Sequence, residues 1–309
     1  MCIRDRHMYM GVYEIRDRDE AVSIMVDKAN IAADTIKNNY DCCVAYYDEH
    51  LLEISIEQRR LLGEFEPALQ NDEFVMYLQP QVKRDGAAKG AEALVRWVHP
   101  SRGIMTPYAF IDILENAGLI YKLDLYIWEK AAQKLAEWKE KGYGSYHISV
   151  NISTKDFYII DIYETFTGLI NKYGIAASNL HLEITETTLM TDFEKNMNII
   201  HKLQGVGFRV EIDDFGSGYS SLNMLKDISA DVLKIDMGFL RKSENEVKGQ
   251  DILESIITLA GKIGMDVITE GVETKKQLDM LTMMGCHEFQ GYYFSKPVPV
   301  SEFEEKYLV

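Results

Sequence analysis

The stretch VEIDDFGSGYSS, residues 210 to 221, ends a strand-like run on two adjacent aspartates, Asp213 and Asp214. Side chains alternate faces along a strand, so adjacent acids serve one site only if the strand stops between them. Asp213 is then the last inward residue and Asp214 begins a loop, with Gly216 and Gly218 supplying the backbone freedom for a tight turn.

The same alternation recurs elsewhere. His147, Ser149 and Asn151 oppose Ile148, Val150 and Ile152, and Glu183 and Thr185 oppose Leu182 and Ile184. Glu211 and Asp213 oppose Val210 and Ile212, Lys234 and Asp236 oppose Leu233 and Ile235, and Glu92 and Arg96 oppose Ala93 and Val95. Taking one strongly polar residue from each inward line gives Glu92, Asn151, Glu183, Asp213, Lys234, Glu270 and Gln290.

Four of these seven are carboxylates. Converging in one enclosed mouth, they would repel one another and raise their own pKa values unless a cation shared the site. Hard oxygen donors with no Cys or His in the set point to Mg2+ or Mn2+ rather than zinc. Two such ions suit hydrolysis of a phosphate ester, with Lys234 and Arg96 on the remaining phosphate oxygens. Any one of these acids alone is ordinarily a solvated strand end or a helix cap; their recurrence at one level of consecutive strands argues otherwise. His147 and His181 also fall on the inward line and read as satisfied lumen histidines rather than ligands. The residues thus point to metal-dependent phosphoryl chemistry and leave the substrate open.

The elements that must hold these groups are short strand-like runs alternating with longer helix-period segments, the pattern of βα units and a parallel sheet. From Glu73 onward the runs are FVMYLQPQ, GAEALVRW, YHISVNI, LHLEITE, FRVEIDD, DVLKID, MDVITE and HEFQGYYF. Eight strands separated by segments such as LYIWEKAAQKLAEWKE fit an α/β fold of the (β/α)8 barrel type. A parallel sheet covered on both faces is nearly continuously apolar, so the polar line needs an enclosed polar space, which a barrel mouth supplies. An antiparallel sheet with one wet face also alternates, but long helical segments suit crossovers rather than hairpins.

At 309 residues the chain can bury a large core. A net charge of -16 and a pI near 4.9 argue against binding a nucleic-acid polymer, which relies on Lys and Arg meeting phosphates. Cys2, Cys42, Cys43 and Cys286 have no zinc or disulfide spacing and read as reduced cytosolic thiols. No apolar run is long enough to span a membrane, so the expectation is a soluble, cytoplasmic chain whose parent could be tethered upstream. The opening MCIRDRHM has no interpretable pattern.

The motifs AEALVRWVHP, SVNIS, LEITE, IDDFGSGYSSL, VLKID, EGVE and QGYYFSKP, preceded by YLQP, occur in order from about Glu64 to the C-terminus. Together they resemble the EAL-domain phosphodiesterases that hydrolyse cyclic di-GMP. The resemblance implies a TIM-like barrel with one antiparallel strand, and hydrolysis of one phosphodiester bond to linear pGpG with two Mg2+ or Mn2+ ions. It implies that Glu92, Asn151, Glu183 and Asp213 bind the first metal, and that Asp213 bridges to a second held also by Asp214. Lys234 and Glu270 would position or activate the attacking water, with Gln290 lining the same site. Arg96 would contact substrate phosphate, and Gln79 and Asp236 would lie near the substrate. Glu186 would hold the loop after Asp214, which in the family links metal binding to dimerisation, so a homodimer is implied too. Thr269 before EGVE, where Ala is usual, and IDMGFL after the lysine strand depart from the pattern without removing a ligand. The alternative is a sensor or interaction module that binds cyclic di-GMP without turnover.

Residues 1–54 resemble the last strand and helix of a GGDEF domain, 55–70 a helical linker, and 71–309 the barrel. The expected strand in the first piece is Val12 to Ile15. The GGDEF motif itself does not occur, so cyclase activity is not expected.

Overall fold

The computed structural model describes residues 8–37, 43–215, 228–238 and 246–308. The chain divides into two compact units, Met1–Pro67 and Ala68–Val309. In the first, β1 (Met10–Val12) and β2 (Val44–Tyr46) pair in parallel, with α1 (Val22–Asp34) between them in sequence. The strand therefore lies two residues earlier than Val12–Ile15. Gly11 meets the Ala29 and Ala33 backbone of α1, where any side chain would collide. Next comes α2 (Glu49–Gln70), a helix that begins earlier than the expected connector.

In the second unit, β3 (Phe74–Lys83) and β4 (Ala88–His99) come first, then β5 (Gly103–Met105), a short antiparallel addition to β4. β6 (His147–Ile152), β7 (Leu180–Thr185), β8 (Val210–Asp213), β9 (Val232–Asp236), β10 (Asp266–Glu270) and β11 (Glu288–Phe289) follow. From β4 through β11, leaving out β5, each strand pairs in parallel with the next. β11 returns to β3, which closes an eight-stranded barrel. β12 (Val298–Pro299) adds to β3 outside this ring.

β3 runs antiparallel to both of its barrel neighbours. The reason is local: only residues 84–87 join β3 to β4, too few for a crossover helix. Gly86 takes φ 86° there, and Asp85 Oδ1 accepts from Ala87 N at 3.0 Å. The uniformly parallel sheet expected from alternation alone is corrected by this hairpin, and the single antiparallel strand agrees with the family resemblance. The expected strand HEFQGYYF shrinks to Glu288–Phe289, because Gly291 turns with φ 156° against the Val272 backbone, leaving no room for a side chain.

Outward residues such as Val150, Leu182, Ile212 and Leu233 are fully buried. After α3 (Ile111–Ala117), α4 (Ile120–Glu140) shows how the cover forms: Leu123, Ile127, Ala131 and Leu135 recur every fourth residue and are buried with Trp128 and Trp138. Each large apolar side chain so covered contributes about 1.5–3 kcal/mol. α5 (Asp156–Ile159) and α6 (Ile162–Tyr173) follow β6, and α7 (Glu186–Thr191) and α8 (Phe193–Val206) follow β7. Among the described residues, no helix is long and apolar enough to cross a membrane.

Candidate active site

The parallel strands deliver their polar residues to the lumen, some from mid-strand and some from the last strand position. Glu92 comes from β4, Asn151 from β6, Glu183 from β7, Lys234 from β9, and Asp213 and Glu270 are the last residues of β8 and β10. Gln290 directly follows β11.

Lys234 is the centre of this set, 1 % exposed. Its Nζ is hydrogen-bonded to Glu183, and it lies 3.5 Å from Glu92 Oε2, 3.8 Å from Asp213 Oδ1 and 2.7 Å from Glu270 Oε1. At 2.7 Å the Glu270 oxygen is in direct ion-pair contact with the ammonium. Asn151 Nδ2 donates to Glu92 Oε1 at 3.2 Å, and Gln290 Nε2 donates to Glu92 Oε2 at 2.5 Å and to Gln79 Oε1 at 3.2 Å. Gln79 Nε2 in turn donates to the Ser295 carbonyl at 3.3 Å.

Four carboxylates thus face one ammonium. Burial first and Glu92 second push Glu183 well above the usual carboxylate range. Burial also pushes Glu270 up to about 8, although Lys234 works against it. For Lys234 burial opposes the charge, yet Asp213, Glu183, Glu270 and Glu92 outweigh it and hold the pKa well above the ordinary lysine value.

A further divalent cation fits this donor set. Glu92, Glu183 and Glu270 each bring a carboxylate oxygen within 4.8 Å of the others, and the buried Glu183 Oε2 has no hydrogen-bond partner. The donors are oxygens, as Mg2+ and Mn2+ prefer.

Asp214 stands immediately beyond β8 with φ 57°, a left-handed conformation uncommon outside glycine. The strand therefore stops between the two aspartates and the backbone turns at the second. Gly216 and Gly218 lie outside the described residues, as does most of the loop that Glu186 was expected to hold. Glu186 is the buried first residue of α7.

Two further predicted residues have contacts of their own. Asp236 is exposed at the end of β9, where it accepts from Gly238 N. Arg96 is part-buried on β4, its Nη1 donating to Val95 O at 2.8 Å and its guanidinium 5.4 Å from the centre of the Tyr77 ring.

Two acids that no sequence motif singled out also assemble. Asp124 on α4 and Asp156 on α5 are two buried acids: burial and then Asp156 push the Asp124 pKa well up, whereas burial raises that of Asp156 and its hydrogen bonds with Ser153 and Asp124 work against the rise. Ser153 holds Asp156 Oδ2 through its backbone N and its Oγ, both at 2.8 Å. No alternation or spacing signal marks this pair, since its members are far apart and on different elements.

The EAL domain model matches residues 63–297. The chain belongs to the EAL domain family.

This EAL domain is 32% identical over 272 residues to the bifunctional diguanylate cyclase/cyclic di-GMP phosphodiesterase MucR of Pseudomonas aeruginosa, covering 88% of this chain. It is 33% identical over 240 residues, 78% of this chain, to the cyclic di-GMP phosphodiesterase PdeR of Escherichia coli. The chain spans only 39% of the first relative's length and 36% of the second's. Among solved structures it is similar to the PaMucR phosphodiesterase in complex with c-di-GMP, with a TM-score of 0.75 and 33% identity over 79% of this chain and 99% of that one. An EAL domain protein of Listeria monocytogenes matches with a TM-score of 0.66 and 29% identity, covering 80% of this chain and 97% of that one. The EAL barrel is thereby placed in the family of cyclic di-GMP phosphodiesterases.

Proposed function

We propose that this EAL barrel hydrolyses one phosphodiester bond of cyclic di-GMP to give linear pGpG, using two Mg2+ or Mn2+ ions. The observation that carries the reading is the convergence of Glu92, Glu183, Asp213 and Glu270, from four strands, on Lys234 of a fifth. Glu92, Asn151, Glu183 and Asp213 would hold the first ion, and Asp213 with Asp214 the second. Bound there, the ions would acidify water and neutralise charge developing on the phosphate.

The chain's own residues supply the rest. Lys234 and Glu270 hold and orient the attacking water, whose oxygen bonds to phosphorus as the ester P–O bond breaks and a proton passes to the leaving oxygen, which departs as a hydroxyl. Gln290 and Asn151 fix the Glu92 carboxylate by donating to its two oxygens. Arg96 meets a substrate phosphate, while Gln79 and Asp236 border the substrate. Glu186 holds the loop beyond Asp214, through which a homodimer forms. In the same reading, residues 1–54 are the end of a GGDEF domain, 55–70 a linker and 71–309 the barrel, working in the cytoplasm.

Incubating the purified protein with cyclic di-GMP and Mg2+ or Mn2+, and resolving products by chromatography, tests this directly. pGpG is expected from the unmodified chain and none from Glu92→Ala or after EDTA. Tight binding without pGpG would leave a non-catalytic sensor, and neither binding nor turnover would sink the substrate assignment.

A further inference from the structure

A second polar layer crosses the lumen at its other end. His147 opens β6, and His181 and Glu211 are the second residues of β7 and β8, so all three enter near the strands' N-terminal ends. Gln81 reaches the same layer from antiparallel β3. The two imidazoles stack with centroids 3.8 Å apart and planes 5° from parallel. His181 Nδ1 donates to Glu211 Oε1 at 2.6 Å, His147 Nε2 donates to Gln81 Oε1 at 2.7 Å, and Ser149 Oγ donates to Glu211 Oε1 at 3.0 Å. His147 is engaged through Nε2, which leaves its Nδ1 as a lone pair, and His181 meets Glu211 through Nδ1, so a cation shared by His181 and Glu211 takes the place of the proton between them. Glu211 is 0 % exposed, yet its Oε2 has no hydrogen-bond partner. One ligand atom from each of the three residues lies within 4.8 Å of the others.

We propose that His147, His181 and Glu211 form a second metal site, chemically distinct from the carboxylate cluster, for a borderline transition-metal cation such as Zn2+. Two imidazoles and one carboxylate are a donor set zinc favours and Mg2+ does not. Gln81 plays the outer role, fixing the far N–H of His147 so that its lone pair can face a cation. Ser149 fixes the carboxylate in the same way. His147, His181 and Glu211 line a cavity of about 500 Å³ shared with Lys89, Ser145 and Arg209, which leaves room for water in a fourth coordination position. A cation bound by both rings lies near the plane of each, so binding must swing them out of the parallel stack. A hydrogen-bonded network serving only as filling accounts for the Oε1 contacts and leaves the buried Oε2 without a purpose.

The test uses the full chain, stripped with EDTA and titrated with Co2+ alone, because four-coordinate Co2+ with nitrogen ligands absorbs strongly in the visible and six-coordinate Co2+ with oxygen ligands weakly. One equivalent with intense bands is expected, retained in Asp213→Asn, lost in His147→Gln and His181→Gln, and bleached by Zn2+. Gln81→Ala should weaken this equivalent by about 10–100-fold. Absence of intense bands in the unmodified chain, or bands that persist in His147→Gln, would overturn the site. Circular dichroism checks the fold of each variant; should the histidine variants not fold, unchanged Co2+ affinity in Gln81→Ala would overturn it instead.

Discussion

Lys234 brings one positive charge into a ring of four carboxylates, and Glu183 depends on it most closely. Removing one partner of a buried ion pair leaves an uncompensated charge and costs about 3–5 kcal/mol. Lys234→Met should therefore lose that much stability in EDTA, read by urea unfolding, and Mn2+ should restore part of it. Equal stability of the two proteins would mean the acids are neutral without the lysine. Asp213 and Asp214 separate by backbone: one ends a strand and the other stands at φ 57°. Asn tolerates that conformation, so Asp214→Asn removes charge without adding strain. Asp213→Asn should abolish pGpG formation, while Asp214→Asn should raise the Mn2+ concentration needed for half-maximal rate. The strand stop was legible in the sequence because two adjacent acids contradict alternation. Which polar residues hydrogen-bond to one another was not, because period 2 assigns a face and not a distance.

At the level of elements, the Asp124–Asp156 contact between α4 and α5 has a pH signature. Burial and Asp156 raise the Asp124 pKa in the folded state above the unfolded value of about 3.9, so the folded chain binds the proton more tightly. Its stabilising contribution is full below about pH 3.9 and is lost as pH rises through the raised folded pKa. Asp124→Asn keeps a neutral side chain and removes that loss, so its thermal midpoint should fall less than the unmodified chain's as pH rises above about 4. Parallel curves would show that Asp124 is not held protonated. The β3–β4 hairpin offers a packing test, because a Cβ at Gly90 would run into the His147 ring. Gly90→Ala should cost about 1–3 kcal/mol by overpacking, measured by chemical unfolding. The hairpin was foreshadowed by the Asp85-Gly86 pair between two strand-like runs. The acid pair had no such herald, since only the packing of α4 against the β6 side of the barrel brings it together.

For the whole molecule, metal binding to the folded state alone should stabilise the barrel by about 2.7 kcal/mol at one hundred times Kd. Thermal unfolding across a Mn2+ series should show a rising midpoint, with a much smaller rise in Asp213→Asn; identical responses would place the ions elsewhere. The sequence by itself determined that strands alternate a polar and an apolar face, that eight of them recur, and that their ordered motifs belong to the EAL family. Those are local properties, carried by period 2 and by short strings of residues. Tertiary structure decided which polar residues meet. Closure of the ring sets Gln290 against Glu92, 198 positions away, and divides one polar line into an acidic layer around Lys234 and a histidine layer around Glu211. Alternation fixes the face of each side chain, but its height in the lumen comes from register between strands, which only the closed barrel sets.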